Sequence, residues 1–253
     1  MPIQEINTSN DNMLLLIRKC IQEKTGLSIA RLGDGEIHIL NKNLTDSLAI
    51  LFKHKFGYDN PMDGLLRTRS LLLDVMHNTS YIGIMGDNDI SKLLNIKRWH
   101  LDKTHIIESN RKIKLNTFDC MLVRDIKFGS LAGFKSIINN KPICIVTPIV
   151  DKLKQNDLAK HLGVHVSYVE VPMGGNLDDR ESYFKLLDDI QEDIVIIANS
   201  LYGKDFPYYL GNKGKVCIDM GATLDGWAGI ESRKWFKKGN LQDHCVIRKE
   251  NIK

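Results

Sequence analysis

Hydrophobic positions along the chain fall into two alternating textures. Dense apolar runs, most of them rich in Val and Ile, occupy Leu27 to Leu32, Tyr81 to Met85, Pro142 to Thr147, Val164 to Val171, Asp193 to Asn199 and Lys215 to Asp219. Short runs with little polar alternation predict strands buried on both faces. Between them apolar residues recur at helical spacing. From Met13 to Lys24, the residues Leu14, Ile17 and Ile21 share one face with charges between them. The same texture predicts helices over Met62 to His77, Asn116 to Arg124, Phe128 to Ile138, Val150 to His161, Arg180 to Gln191 and Phe206 to Asn212. Strand and helix in alternation predict the α/β class, a Rossmann-like, mostly parallel sheet with helices on both faces. Residues 90–140, between the second and third predicted strands, read as a helical insertion that caps the sheet. The chain shows no repeat, low-complexity tract or Ser/Gly linker, so one domain over residues 1–253 is expected.

Composition narrows this picture. At 253 residues, 43% hydrophobic and 26% charged, the chain is in the range of soluble globular proteins. No apolar run approaches the roughly eighteen residues of a membrane span. Met1-Pro2-Ile3-Gln4-Glu5 lacks the basic start and apolar centre of a signal peptide. Cys20, Cys120, Cys144, Cys217 and Cys245 are odd in number and never form C-x-x-C, the usage of reduced thiols in a cytoplasmic protein rather than of a disulfide or zinc framework. The net charge of +4 suits an anionic small molecule or lipid surface, while the absence of a basic stripe interleaved with aromatics argues against nucleic acid. Arg233-Lys234-Trp235-Phe236-Lys237-Lys238 has two readings: a last helix packed on the sheet, or a weak peripheral contact with an anionic membrane.

In open parallel sheets ligands bind beyond the carboxyl ends of the strands, so residues just after each run carry the most functional information. The first junction, Ser28-Ile29-Ala30-Arg31-Leu32-Gly33-Asp34-Gly35-Glu36, reads as a strand that breaks into a doubly acidic turn and then a helix. Gly33 and Gly35 let the backbone take positive φ or approach a ligand. Asp34 and Glu36 can aim two carboxylates at one hard cation, Mg²⁺ or Mn²⁺, which takes its other ligands from water and substrate phosphates. Arg31 adds a fixed positive charge. An equally consistent reading has Asp34 capping the helix and Arg31 neutralising it.

The other junctions are less specific. Gly86-Asp87-Asn88-Asp89 is a rival acidic pair or a helix cap, and Pro172-Met173-Gly174-Gly175-Asn176 offers backbone amides to a ribose or phosphate. Asn199-Ser200-Leu201-Tyr202-Gly203-Lys204 offers Ser200, the Gly203 amide and the Lys204 ammonium as a diphosphate cradle. Asp219-Met220-Gly221 follows the last predicted strand, with Asp225 and Glu231 beyond it as candidate general bases. His38 lies one turn beyond the acidic pair. No H-E-x-x-H, G-x-S-x-G or G-x-G-x-x-G motif occurs.

Arg31-Leu32-Gly33-Asp34-Gly35-Glu36 resembles the signature of bacterial glycosyltransferases with the GT-D fold, in which an Asp-x-Glu motif holds the metal on the nucleotide-sugar diphosphate. A looser match is Asp219-Met220-Gly221 followed by Asp225 and Trp227. There the chain departs from family members that carry a His after the Gly and acidic residues near the Trp, having Ala222 and Gly226 instead. The resemblance implies a metal-dependent hexosyltransferase with UDP-glucose or UDP-galactose as donor and a glycan, glycoprotein or lipid-linked hydroxyl as acceptor. Asp34 and Glu36 would hold Mn²⁺ or Mg²⁺; Arg31, Gly33, Gly35, Ser200, Gly203 and Lys204 would bind the donor. An S-adenosylmethionine methyltransferase and a non-catalytic nucleotide-binding subunit of a glycan-assembly complex are the alternatives.

Overall fold

A computed structural model of the chain describes residues 6–40, 61–84, 116–119, 122–123, 126–172 and 177–230. Among the described residues eight strands form one sheet: β1 (Ile6–Thr8), β2 (Leu27–Arg31), β3 (Tyr81–Ile84), β4 (Asn116–Asp119), β5 (Ile143–Thr147), β6 (Val166–Glu170), β7 (Ile194–Ile197) and β8 (Val216–Asp219). Their order is β1-β4-β3-β2-β8-β7-β5-β6, and every pairing is parallel. The described helices are α1 (Asn10–Glu23), α2 (Asp34–Leu40), α3 (Pro61–Asn78), α4 (Ile126–Gly129), α5 (Leu131–Ile138), α6 (Val150–Gln155), α7 (Leu158–Leu162), α8 (Arg180–Asp188), α9 (Phe206–Gly211) and α10 (Thr223–Trp227).

Alternation along each strand sends successive side chains to opposite faces. Ile29, Ile145, Ile196 and Ile218 face α1, α5 and α10, where Met13, Ile17, Phe134 and Trp227 complete one core. On the other face Ala30, Leu32 and Ile82 meet Ile39 and Leu40 of α2 and Leu65, Leu72 and Val75 of α3. Further along that face Val146, Val195, Ile197 and Cys217 meet Leu187 of α8 and Phe206 and Leu210 of α9. The Val and Ile runs are thus buried on both sides, as their texture predicts.

Two regions depart from the sequence-based expectation. The described part of the helix expected over Asn116 to Arg124 is not α-helical: Asn116–Asp119 is β4, paired in register with both β1 and β3, and Leu122 and Val123 lie in a 3₁₀ turn. Backbone pairing with two neighbours and burial of Thr117 and Phe118 outweigh the weak strand preference of Asn and Asp. The chain between β3 and β5 therefore supplies a strand of the sheet as well as helices, and residues 90–115 of the expected insertion lie outside the described residues. The single helix expected over Val150 to His161 is two, α6 and α7, because Asp157 takes the left-handed conformation at φ 50° and breaks the run.

Strands β2 and β8 are neighbours, with Ile29 opposite Ile218. From β2 the chain passes to α2 on one face; from β8 it passes to α10 on the other. Elements that diverge in this way open a crevice at the carboxyl ends of the strands between them.

Candidate active site at the ends of β2 and β8

Four charged side chains converge at that crevice from four separate segments. Arg31 ends β2, Asp219 ends β8, Lys204 closes the loop after β7, and Glu36 stands in the first turn of α2. Lys204 Nζ donates to Asp219 Oδ2 at 2.6 Å and lies 3.5 Å from Glu36 Oε1. The Arg31 backbone N–H donates to Asp219 Oδ2 at 3.3 Å, its Nε donates to the Asp219 carbonyl at 2.9 Å, and its Nη2 lies 3.9 Å from Asp219 Oδ1. Glu36 Oε2 accepts from the Gly33 N–H at 2.9 Å. This last bond is the reciprocal half of a capping box, an N3 glutamate closing the start of its own helix. The start of α2 is thus closed by Glu36. Asp34 occupies the first position of α2, with its side chain, like that of His38, outside the described residues.

Lys204 and Asp219 are only 6% and 3% exposed. Burial disfavours either charge, yet Asp219 and Glu36 hold the Lys204 ammonium above its ordinary range. Burial likewise works against the Asp219 carboxylate, but Lys204 and Arg31 hold it below the usual carboxylate range. Among the described side chains two cations face two carboxylates, so these charges balance and each ion is fixed by the others. Gly221 is required beside it: its φ is +49°, and a Cβ there would lie 1.9 Å from Arg31 Nη2.

The structure distributes the expected donor-binding residues unevenly. Arg31, Gly33 and Lys204 meet in the cluster. Gly35 is exposed in α2, and a Cβ there would meet nothing within 4 Å. The turn after β7 is closed on itself: the Gly203 N–H donates to the Asn199 carbonyl at 3.0 Å, so that amide is engaged within the turn. Gly203 is needed because a Cβ would come 2.7 Å from Asn199 Cβ. Ser200 is exposed at φ +43°. Asp225 is half-buried in α10, one turn beyond Gly221, on a helix anchored by Trp227 Nε1 donating to the Gly129 carbonyl at 2.7 Å. Glu231, Asp87, Asp89, residues 173–176 and residues 233–238 lie outside the described residues.

A second cluster adjoins the first and has no clear sequence signature. Asp205, directly after Lys204, is fully buried and accepts from Arg180 Nε at 2.5 Å. Arg180 Nη2 also donates to the Tyr208 hydroxyl at 2.9 Å. Burial pushes the Asp205 carboxyl up to about 6, against the pull of Arg180. Arg180 reads in sequence as an ordinary start to α8. Only the run Lys204-Asp205-Phe206-Pro207, a charged pair leading into a helix with Pro near its start, marks the spot.

Among the described residues no three His, Cys, Asp or Glu side chains gather as a metal cage. A cation of the Mg²⁺ type needs only one or two protein carboxylates when phosphate and water supply the rest. Glu36 offers a hard oxygen of the right chemistry at the mouth of a helix, with Lys204 as its neighbour on Oε1.

The family model of the GT-D fold-like domain matches residues 8–227. The chain belongs to that family. Solved structures resemble this GT-D fold-like chain across 94% of its length. One, described as a highly conserved domain of unknown function 1792 with a distinct glycosyltransferase fold, superposes with a TM-score of 0.59 at 14% identity over 82% of its own length. Another, described as a new glycosyltransferase (DUF1792) from Streptococcus sanguinis, gives 0.56 at 16% identity over 85% of its length. Among curated proteins none matches. Family and fold together support a glycosyltransferase. Among the described residues no helix is long and apolar enough to cross a membrane.

Proposed function

We propose that the chain is a metal-dependent hexosyltransferase that takes its sugar from a nucleotide-diphosphate donor, UDP-glucose or UDP-galactose, and delivers it to a hydroxyl of a glycan or glycoconjugate. The observation that carries this reading is the charge cluster at the β2/β8 crevice. It sits where parallel sheets bind ligands, and it fixes Glu36 of the Asp-x-Glu motif by one amide and one ammonium. Asp34 and Glu36 hold Mn²⁺ or Mg²⁺ in this reading. When bound, the ion neutralises charge on the leaving diphosphate. The protein's own part is preorganisation. Lys204, clamped by Asp219, keeps Glu36 pointed into the crevice, and Arg31 keeps Asp219 in place to do so. Asp225 and Glu231 stand as candidate bases for the acceptor hydroxyl.

Asp34→Asn and Glu36→Gln test the metal pair. Each keeps side-chain size and loses the anionic ligand. In calorimetric titrations with UDP, both variants are expected to lose the Mn²⁺-dependent part of the affinity, at least tenfold, and to keep the metal-independent part. Unchanged Mn²⁺ dependence in both overturns the assignment, and its loss in Asp87→Asn instead moves the site to Asp87-Asn88-Asp89.

A further inference from the structure

Arg180 opens α8 directly after the 3₁₀ turn Leu177–Asp179. Leu177 packs against the Leu32, Leu40 and Leu65 side of the sheet, and Asp178 pairs with Arg67 of α3 at 2.5 Å. The turn Leu177–Asp179 therefore lies on the α3 side of the sheet, and Arg180 after it reaches the residue that follows Lys204.

Arg180 is held on three sides. Nε donates to Asp205, Nη2 donates to Tyr208, and the guanidinium lies 5.2 Å over the Phe184 ring. Two helices thus fix its direction: α8 carries Arg180 and Phe184, and α9 carries Tyr208 with Asp205 at its start. The side chain remains 32% exposed, and among the described residues Nη1 makes no hydrogen bond. A guanidinium fixed through Nε and Nη2 and still partly exposed can take a phosphate oxygen pair with little loss of freedom. Lys204 and Arg31 offer no comparable opening, since Asp219 and Glu36 already neutralise them. Asp205, for its part, is buried, and among the described residues its Oδ1 has no hydrogen-bond partner. A buried carboxylate with an unpaired oxygen is costly, and apolar contacts would join α8 to α9 without that cost.

We propose that Arg180 binds the diphosphate of the donor, with Asp205 and Tyr208 as positioning residues that set the direction of its guanidinium. This rests on the nucleotide-diphosphate reading above, and the two are separable by experiment. Wild type, Arg180→Gln, Arg180→Lys and Asp205→Asn are titrated calorimetrically with inorganic pyrophosphate, UDP and uridine at fixed Mn²⁺. Arg180→Gln is expected to weaken pyrophosphate and UDP at least tenfold and uridine not at all. Arg180→Lys, which keeps the charge and loses the fork, should lose most of the same affinity, and Asp205→Asn a few-fold. Equal losses for UDP and uridine, or a lower melting temperature with unchanged pyrophosphate affinity, would overturn the assignment and leave Arg180 as a tether. Wild type that binds pyrophosphate through Arg180 but UDP no tighter than uridine keeps the Arg180 site and overturns the donor reading. UDP affinity that survives Arg180→Gln does the reverse, and wild type that binds none of the three overturns both. Should Arg180→Gln fail to fold, Tyr208→Phe removes one hydrogen bond only. A few-fold loss confined to pyrophosphate and UDP then supports the proposal, and no loss overturns it.

Discussion

The two ion clusters at the carboxyl edge of the sheet are joined at Lys204 and Asp205, neighbours in sequence, and are built on opposite plans. Around Lys204 two cations meet two carboxylates, and Asp219 alone receives the Lys204 ammonium together with the Arg31 backbone and guanidinium. Around Asp205, among the described residues, one cation meets one carboxylate, Arg180 stays partly exposed, and Oδ1 of Asp205 has no partner. The first cluster is closed and serves as scaffold for Glu36. The second has donor capacity to spare. Burial makes that difference consequential, because an ion taken out of water depends on whatever partners the fold supplies.

Removing the ammonium from the closed cluster should have the largest effect. Lys204→Met leaves Asp219 with Arg31 alone and takes from Glu36 its ammonium neighbour, in a site where the Lys204 and Asp219 side chains are 7% and 4% exposed. Loss of one partner from a buried pair typically costs about 3–5 kcal/mol. The urea midpoint should fall accordingly, and Lys204→Met combined with Asp219→Asn should recover much of the loss by removing the stranded charge. A single variant as stable as wild type would mean that the cluster does not hold the crevice together.

The clusters should also answer pH with opposite signs. Burial raises the folded-state Asp205 carboxyl from 3.8 to about 6, so its contribution is fully present below pH 4 and lost as pH rises through 6. Asp219 is held below its ordinary 3.8 by Lys204 and Arg31 against burial. Its contribution is present above pH 4 and lost as pH falls through that depressed value. Between pH 4 and 7 wild type should therefore lose up to about 3 kcal/mol relative to Asp205→Asn. Urea unfolding of both proteins across that range measures it. A stability difference that stays flat with pH would remove the buried carboxylate from the comparison.

What was legible in the sequence follows the same division between local and assembled structure. Strands β5, β7 and β8 could be read from their apolar runs because burial on both faces leaves little else for Ile143 to Thr147 or Ile194 to Ile197 to be. β4 could not: Asn116-Thr117-Phe118-Asp119 has a single large apolar residue, and its neighbours in the sheet, not its composition, make it a strand. Arg31, Glu36 and Lys204 were readable because each lies near the end of a predicted strand, where parallel sheets place ligands. Arg180 and Asp205 were hidden because each taken alone looks like a helix start. Their partnership exists only once α8 and α9 pack side by side across 25 residues of chain.

The smallest effect is expected where similar chemistry stands in water. Lys213 Nζ donates to Asp188 Oδ1, and to the Tyr209 hydroxyl at 2.9 Å, and lies 4.4 Å over the Tyr209 ring. In contact terms this rivals the Lys204 cluster. The hydrogen bond from Lys213 holds the Asp188 carboxyl below its ordinary range, helped by that from Tyr209. Yet the Lys213 and Asp188 side chains are 42% and 45% exposed. Water and salt solvate either ion as soon as the other leaves, so exposed pairs contribute little to stability. Lys213→Ala should leave the urea midpoint at the wild-type value, at low and at high ionic strength alike. If Lys213→Ala instead destabilised the fold as much as Lys204→Met, the number of contacts would matter more than burial, and the contrast between the closed cluster and every other ion pair on this sheet would lose its physical basis.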